Sequence, residues 1–324
     1  MLRGPHVQSV LASSAIRRLK IIGSCQDFIQ ASRDEIVNCG DGVRLLAHHA
    51  EPLHTRPTKV VTLIHGWEGS GNSTYVISVA ARLWQAGLRV VRLNLRDHGA
   101  SVHLNRGLFH SCRLQEAVGA VWAIRQRFPG EELYLGGFSL GGNFCLRIAA
   151  TAQAEELDVA GAVAICPVLD PAETMLALDG GWPVYRWYFM RKWRRSLERK
   201  KAAFPELYDF DELERFNSLA GMTEYFVRHY TEFPSLNDYL RGYAVTGDRL
   251  SSIDIPARIL LAEDDPIIPI GGLKRVARSA MLSVDRSPIG GHCGFLKNYR
   301  LQSWLDDYLL MALNVNPGSR SRAA

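Results

Sequence analysis

The 324-residue chain has no run approaching the roughly 18 uninterrupted apolar residues of a membrane span, which excludes an ordinary transmembrane helix. It has only six cysteines and no C-x-x-C pair, which argues against a zinc ribbon or a thioredoxin-like motif. Its start, Met1-Leu2-Arg3-Gly4-Pro5-His6, lacks the apolar core of a secretory signal. Together with buried-looking thiols, that makes a reducing cytoplasm the expected compartment. No Walker loop is present and no G-x-G-x-x-G follows a strand, so no nucleotide cofactor is expected. The formal charge of +5 is too mild to imply a nucleic-acid partner. With 47% hydrophobic and 22% charged residues, the chain is neither disordered nor low-complexity.

What is present is an alternation. Apolar runs at Lys59–Ile64, Arg89–Leu95, Leu133–Gly136, Ala160–Cys166 and Ala257–Ala262 read as strands. Tyr75–Ala86, Leu114–Arg127 and Leu140–Ala152 read as the helices between them. Such alternation implies βαβ units, an α/β class and a mostly parallel central sheet with helices on both faces. Glu35–Cys39 and Val43–His49 flank Gly40-Asp41-Gly42, a hairpin expected to add antiparallel strands at one edge. Residues 1–33 read as a helical arm. The core would span 34–170 and 246–315, interrupted at 171–245 by a strand-free helical cap. Residues 316–324 read as a flexible tail.

Gly137-Phe138-Ser139-Leu140-Gly141 has the form G-x-S-x-G between an apolar strand and a helix. That setting forces a tight turn and lifts the Ser139 hydroxyl above the sheet. A serine nucleophile needs a base and an orienting acid. His292, in the glycine-flanked Gly290-Gly-His-Cys-Gly294, has the chain position expected of the base. The acid is expected in Glu263-Asp264-Asp265-Pro266. Pro266 biases Asp265 towards an extended conformation that suits a projecting side chain. Asp264 and Asp170 are the alternatives. Oxyanion-hole donors are expected from the amides of Leu140 and of Trp67, which follows the turn-permitting Gly66. The Arg96-Asp97-His98-Gly99 loop reads as hydrogen-bonded; its irregular spacing gives no reason to expect a metal.

Together, His65-Gly-Trp-Glu-Gly-Ser70, Asn94-Leu-Arg-Asp-His-Gly99, the Ser139 segment, Asp264-Asp265-Pro266 and Gly290-Gly-His-Cys-Gly-Phe295 resemble the α/β-hydrolase superfamily, and within it the YheT-like branch of esterases. The resemblance implies an α/β-hydrolase fold and a triad of Ser139, Asp265 and His292. It also implies hydrolysis of short-chain carboxylic esters or monoacylglycerols without a cofactor. An acyltransferase using the same acyl-enzyme is the alternative, and a non-enzymatic binding module a more distant one. Relatives with Asp in place of the serine, the dehalogenases and epoxide hydrolases, are disfavoured.

Within the cap, Tyr185, Phe189, Trp193 and Leu197 recur every four residues, an apolar helical stripe. Arg186, Arg191, Lys192, Arg194, Arg195, Arg199, Lys200 and Lys201 surround it. They suggest either a solvated basic face or peripheral contact with an anionic membrane.

Overall fold

The computed structural model describes residues 2–313; the expected tail at 316–324 lies outside them. Three short helices open the chain: α1 (Pro5–Ala12), α2 (Ala15–Ser24) and α3 (Gln26–Ala31). They are followed by the hairpin strands β1 (Ser32–Asn38) and β2 (Arg44–Ala50). Then come β3 (Lys59–Ile64), α4 (Thr74–Gln85), β4 (Arg89–Leu93), α5 (Leu114–Arg127), β5 (Glu132–Phe138), α6 (Leu140–Thr151) and β6 (Gly161–Ile165). Four helices without a strand follow: α7 (Pro171–Gly180), α8 (Pro183–Ala203), α9 (Leu219–Tyr230) and α10 (Leu236–Tyr243). The chain closes with β7 (Ala257–Ala262), β8 (Leu282–Ser287) and α11 (Leu305–Ala312).

The eight strands form one sheet in the order β1-β2-β4-β3-β5-β6-β7-β8. β1 with β2 and β2 with β4 are antiparallel, and all other pairs are parallel. The hairpin therefore occupies an edge, as the Gly-Asp-Gly turn implied. Alternation along β3 feeds two separate cores. Val60 and Ile64 pack with α5 and α6 on one face. Val61 and Leu63 pack with α4 and α11 on the other. This pleat-driven division explains why the central strands read as unbroken apolar runs. β8 was not apparent from sequence, because Leu-Ser-Val-Asp-Arg-Ser at the far edge is only half-buried and has no apolar run to announce it.

Helix α8 follows its expected stripe, with Tyr185, Trp193 and Leu197 buried and Phe189 partly so. The basic run around it is only partly a solvated face. Lys200 is 1% exposed and donates to Asp97 Oδ1 at 2.8 Å and to the carbonyls of Asn105 (2.6 Å) and Gly107 (3.0 Å). Arg194 bonds the Phe216 carbonyl, Arg199 that of Gly99 and Lys192 that of Glu68. These cations fasten α8 to the loops beneath it, because a carbonyl-lined notch needs donors and lysine and arginine carry several.

Candidate active site

Ser139 stands between β5 and α6 with φ 53° and ψ −117°, a backbone conformation costly for a residue with a Cβ. The neighbouring glycines make the turn possible. A methyl on Gly137 would overlap the Gly141 carbonyl, and one on Gly141 would overlap that of Ile64. The turn is held by Ser139 N–H donating to the Ile165 carbonyl at 2.8 Å, and by its own carbonyl accepting from Asn143 at 3.0 Å.

β5 is flanked by β3 and β6, so the loop after β3 comes to lie beside the turn. A Cβ on Gly66 would stand 3.1 Å from that of Ser139. Among the described residues, neither the Trp67 nor the Leu140 amide donates to a protein acceptor, and both residues line the cavity that contains Ser139. The Trp67 indole stacks on Phe189 of α8 at 5.5 Å and meets Trp193 edge-on. Lys192 and Ser196 of the same helix bond the Glu68 carbonyl (3.0 Å) and carboxylate (2.6 Å). The loop is thus held from above by α8.

From below it is held by His65, Tyr75 and His98, none of which was assigned a role from sequence. Fully buried His65 donates from Nδ1 to the Gly66 carbonyl (2.8 Å) and accepts at Nε2 from Leu95 N–H (3.1 Å). That pairing requires the neutral tautomer, and burial pushes the imidazole well below its ordinary pKa. Tyr75 accepts from Gly66 N–H at 3.0 Å, and His98 accepts from Glu68 N–H at 3.2 Å. Only the histidines carried a local signal, and it was one shared with any buried ring.

The carboxylates after β7 divide their work. Asp265, whose side chain is 1% exposed, accepts from His292 Nδ1 at 2.9 Å through Oδ2. Its Oδ1 accepts from the amides of Ile267 (2.8 Å) and Ile268 (3.0 Å). Asp264 instead receives the amides of Gly290 and Gly291, each at 2.8 Å. Asp170 caps α7 and pairs with Arg275, away from His292. The Asp265 bond puts a hydrogen on Nδ1 and leaves Nε2 free for a partner in the cavity. Burial is the largest single influence on His292 and disfavours an imidazolium, but the charge of Asp265, that of Cys293 and the Asp265 hydrogen bond together outweigh it, and the pKa is raised to about 9.

Ser139 and His292 line one cavity of about 300 Å³. Its walls are largely apolar: Phe109, Val168, Leu178, Phe189, Trp193 and Phe226. No group of three or more His, Cys, Asp or Glu suited to a metal ion occurs among the described residues.

A family profile described as alpha/beta hydrolase fold matches residues 59–299, and the chain belongs to that family. Within it the chain is YheT-like. "Putative esterase YheT" of Escherichia coli is 25% identical over 279 residues, which is 81% of this chain and 78% of that protein. "Putative esterase slr0264" of Synechocystis is 27% identical over 67% of this chain and 65% of its own length. "Monoacylglycerol lipase ABHD2" of Danio rerio is 24% identical over 59% of this chain, which spans half of that protein. Among solved structures, the Pyrococcus furiosus esterase Pf2001 shares the fold with a TM-score of 0.57 and 14% identity, over 90% of this chain and 96% of that one.

Proposed function

We propose that this chain is a cofactor-independent serine hydrolase of carboxylic esters, acting on short-chain esters or monoacylglycerols. The observation that carries the reading is a serine in a strained, glycine-walled turn sharing an apolar cavity with an imidazole whose far nitrogen is bonded to a buried carboxylate. In this reading His292 takes the Ser139 proton as the hydroxyl attacks the ester carbonyl. Asp265 stabilises the imidazolium that forms. The tetrahedral oxyanion is received by the unpartnered Trp67 and Leu140 amides. His292 then protonates the leaving alcohol, and water releases the acyl group by the same route in reverse. We read α7 to α10 as a cap over the cavity, whose apolar walls suit an acyl chain. All six cysteines are free, which supports a reducing compartment such as the cytoplasm.

The test is covalent labelling by a fluorophosphonate, with hydrolysis measured on esters of graded chain length. Wild type should label and Ser139→Ala should not, with the same thermal transition. Full labelling of Ser139→Ala would remove the nucleophile assignment. Adding an alcohol or thiol acceptor separates hydrolysis from acyl transfer. The esterase and lipase names of the relatives favour water as the acceptor.

Contact with a lipid surface is a second part of the proposal. No helix among the described residues is long and apolar enough to cross a membrane. Yet Ile16, Leu19, Trp182 and Trp187 are exposed, and Arg18 and Tyr188, from the same helices α2 and α8, line the cavity. Arg191 and Arg195 of α8, unlike Lys192 and Arg194, have no acceptor among the described residues and remain free for anionic headgroups.

A further inference from the structure

Helix α1 buries two polar side chains while leaving its valines exposed. Its valines, Val7 and Val10, are each 43% exposed, whereas Gln8 is 1% and Ser9 7% exposed. An eight-residue helix is marginal by itself, and with both valines exposed its apolar docking is confined to Leu11, packed against Leu2, Leu296 and Leu301, and the buried Ala12. Its polar side chains have found a specific partner, the loop that carries His292.

The Ser9 hydroxyl donates to the Pro5 carbonyl at 2.7 Å, which leaves a lone pair to accept from the His292 amide at 2.8 Å. Gln8 pairs with Leu296 as a neighbouring strand would. Its Oε1 accepts from Leu296 N–H at 2.7 Å, and its Nε2 donates to the Leu296 carbonyl at 3.0 Å. The fit is close: a methyl on Gly291 would stand 2.7 Å from both Ser9 Oγ and Gln8 Cβ. Asp264 holds the amides of Gly290 and Gly291. Three consecutive amides are therefore pinned, two by the core and the third by α1.

The loop needs such restraint. Gly291, Cys293 and Phe295 all have positive φ (52°, 55° and 49°), and two of the three carry a Cβ. Such a backbone persists only where its surroundings over-determine it. The far end of α1 reaches the cap, where His6 Nδ1 bonds the Tyr185 hydroxyl at 3.0 Å and its ring lies 4.9 Å from that of Trp182.

We propose that Ser9 is a positioning residue for the base. By accepting from the His292 amide it fixes the backbone that carries the imidazole into the cavity shared with Ser139, and α1 supplies that restraint. This rests on the reading of Ser139 and His292 as nucleophile and base. A misplacement of about 1 Å costs on the order of 10²-fold in rate. Ser9→Ala in the full chain should therefore lower kcat on a soluble p-nitrophenyl ester about 10- to 100-fold, with KM within about twofold. It should slow fluorophosphonate labelling in parallel. Ser9→Thr, which keeps the acceptor, should restore most of the rate. Ser9→Cys, which keeps the volume with a poorer acceptor, should fall between, and it decides the matter if Ser9→Ala does not fold. A folded Ser9→Ala or Ser9→Cys with wild-type kcat, or a loss confined to KM, overturns the proposal while leaving the nucleophile assignment intact. If wild type itself resists the fluorophosphonate, the nucleophile reading fails and this inference fails with it.

Discussion

Asp264 and Asp265 are adjacent, yet they hold different parts of the same loop: Asp265 accepts from the His292 ring at 2.9 Å, and Asp264 from the amides of Gly290 and Gly291 at 2.8 Å. One carboxylate can tune a proton; the other can only tether a backbone. Asp265→Asn should lower kcat on the order of 10⁴-fold, because an amide cannot stabilise the imidazolium and favours the wrong tautomer. Asp264→Asn keeps an acceptor oxygen and should lose roughly tenfold or less. Steady-state kinetics of the two variants on one soluble ester give the ranking, and the reverse order would move the acid to Asp264.

The pH profile follows from the same bond. The base must be neutral to act, and the pKa of His292 is raised to about 9. The neutral fraction therefore grows as pH rises through that value, and kcat/KM should climb with near-unit slope from pH 7 to about 8.5. This lies well above the ordinary histidine value of about 6.5 that sequence alone suggests. Asp265→Asn removes the charge that raises the pKa, so its much lower profile should have its limb displaced to lower pH. An identical limb in both proteins would mean that another group titrates.

Lys200 and Asp97 form a buried latch between α8 and the loop after β4. Removing one partner leaves an uncompensated charge, so Lys200→Met should cost about 3–5 kcal/mol in urea unfolding. Asp97→Asn added to it should recover part of that loss. A Lys200→Met protein as stable as wild type would show that Asp97 is readily hydrated once α8 lets go.

Lipid contact predicts sedimentation with anionic vesicles at low salt. Changing Arg191 and Arg195 to Gln should weaken it, as should Leu19 and Trp187 to Gln, with hydrolysis of a soluble ester nearly intact. Lys192 and Arg194 are unsuitable for this test because they hold internal carbonyls. Failure of wild type to sediment at low salt, where attraction is least screened, would leave the exposed aromatics without that role.

Much of this architecture was legible in residue order. The βα alternation, the glycine-walled turn at Ser139 and the glycine-flanked His292 are encoded locally. Hydrophobic period and the steric demands of a tight turn act over a few neighbours, so reading the chain in short windows recovers them. The half-buried β8 escaped because an exposed edge strand lacks an apolar run. Other features were settled only when distant segments met. Pro266 favours Asp265 among three adjacent carboxylates, but only the fold shows which of them meets the His292 ring and which tethers the glycine amides. A lysine in a basic helix looks solvated until three oxygens of another loop close around it. Ser9 reads as an unremarkable position in a short arm. Its role depends on an amide 283 positions away, and no local propensity carries information across that distance.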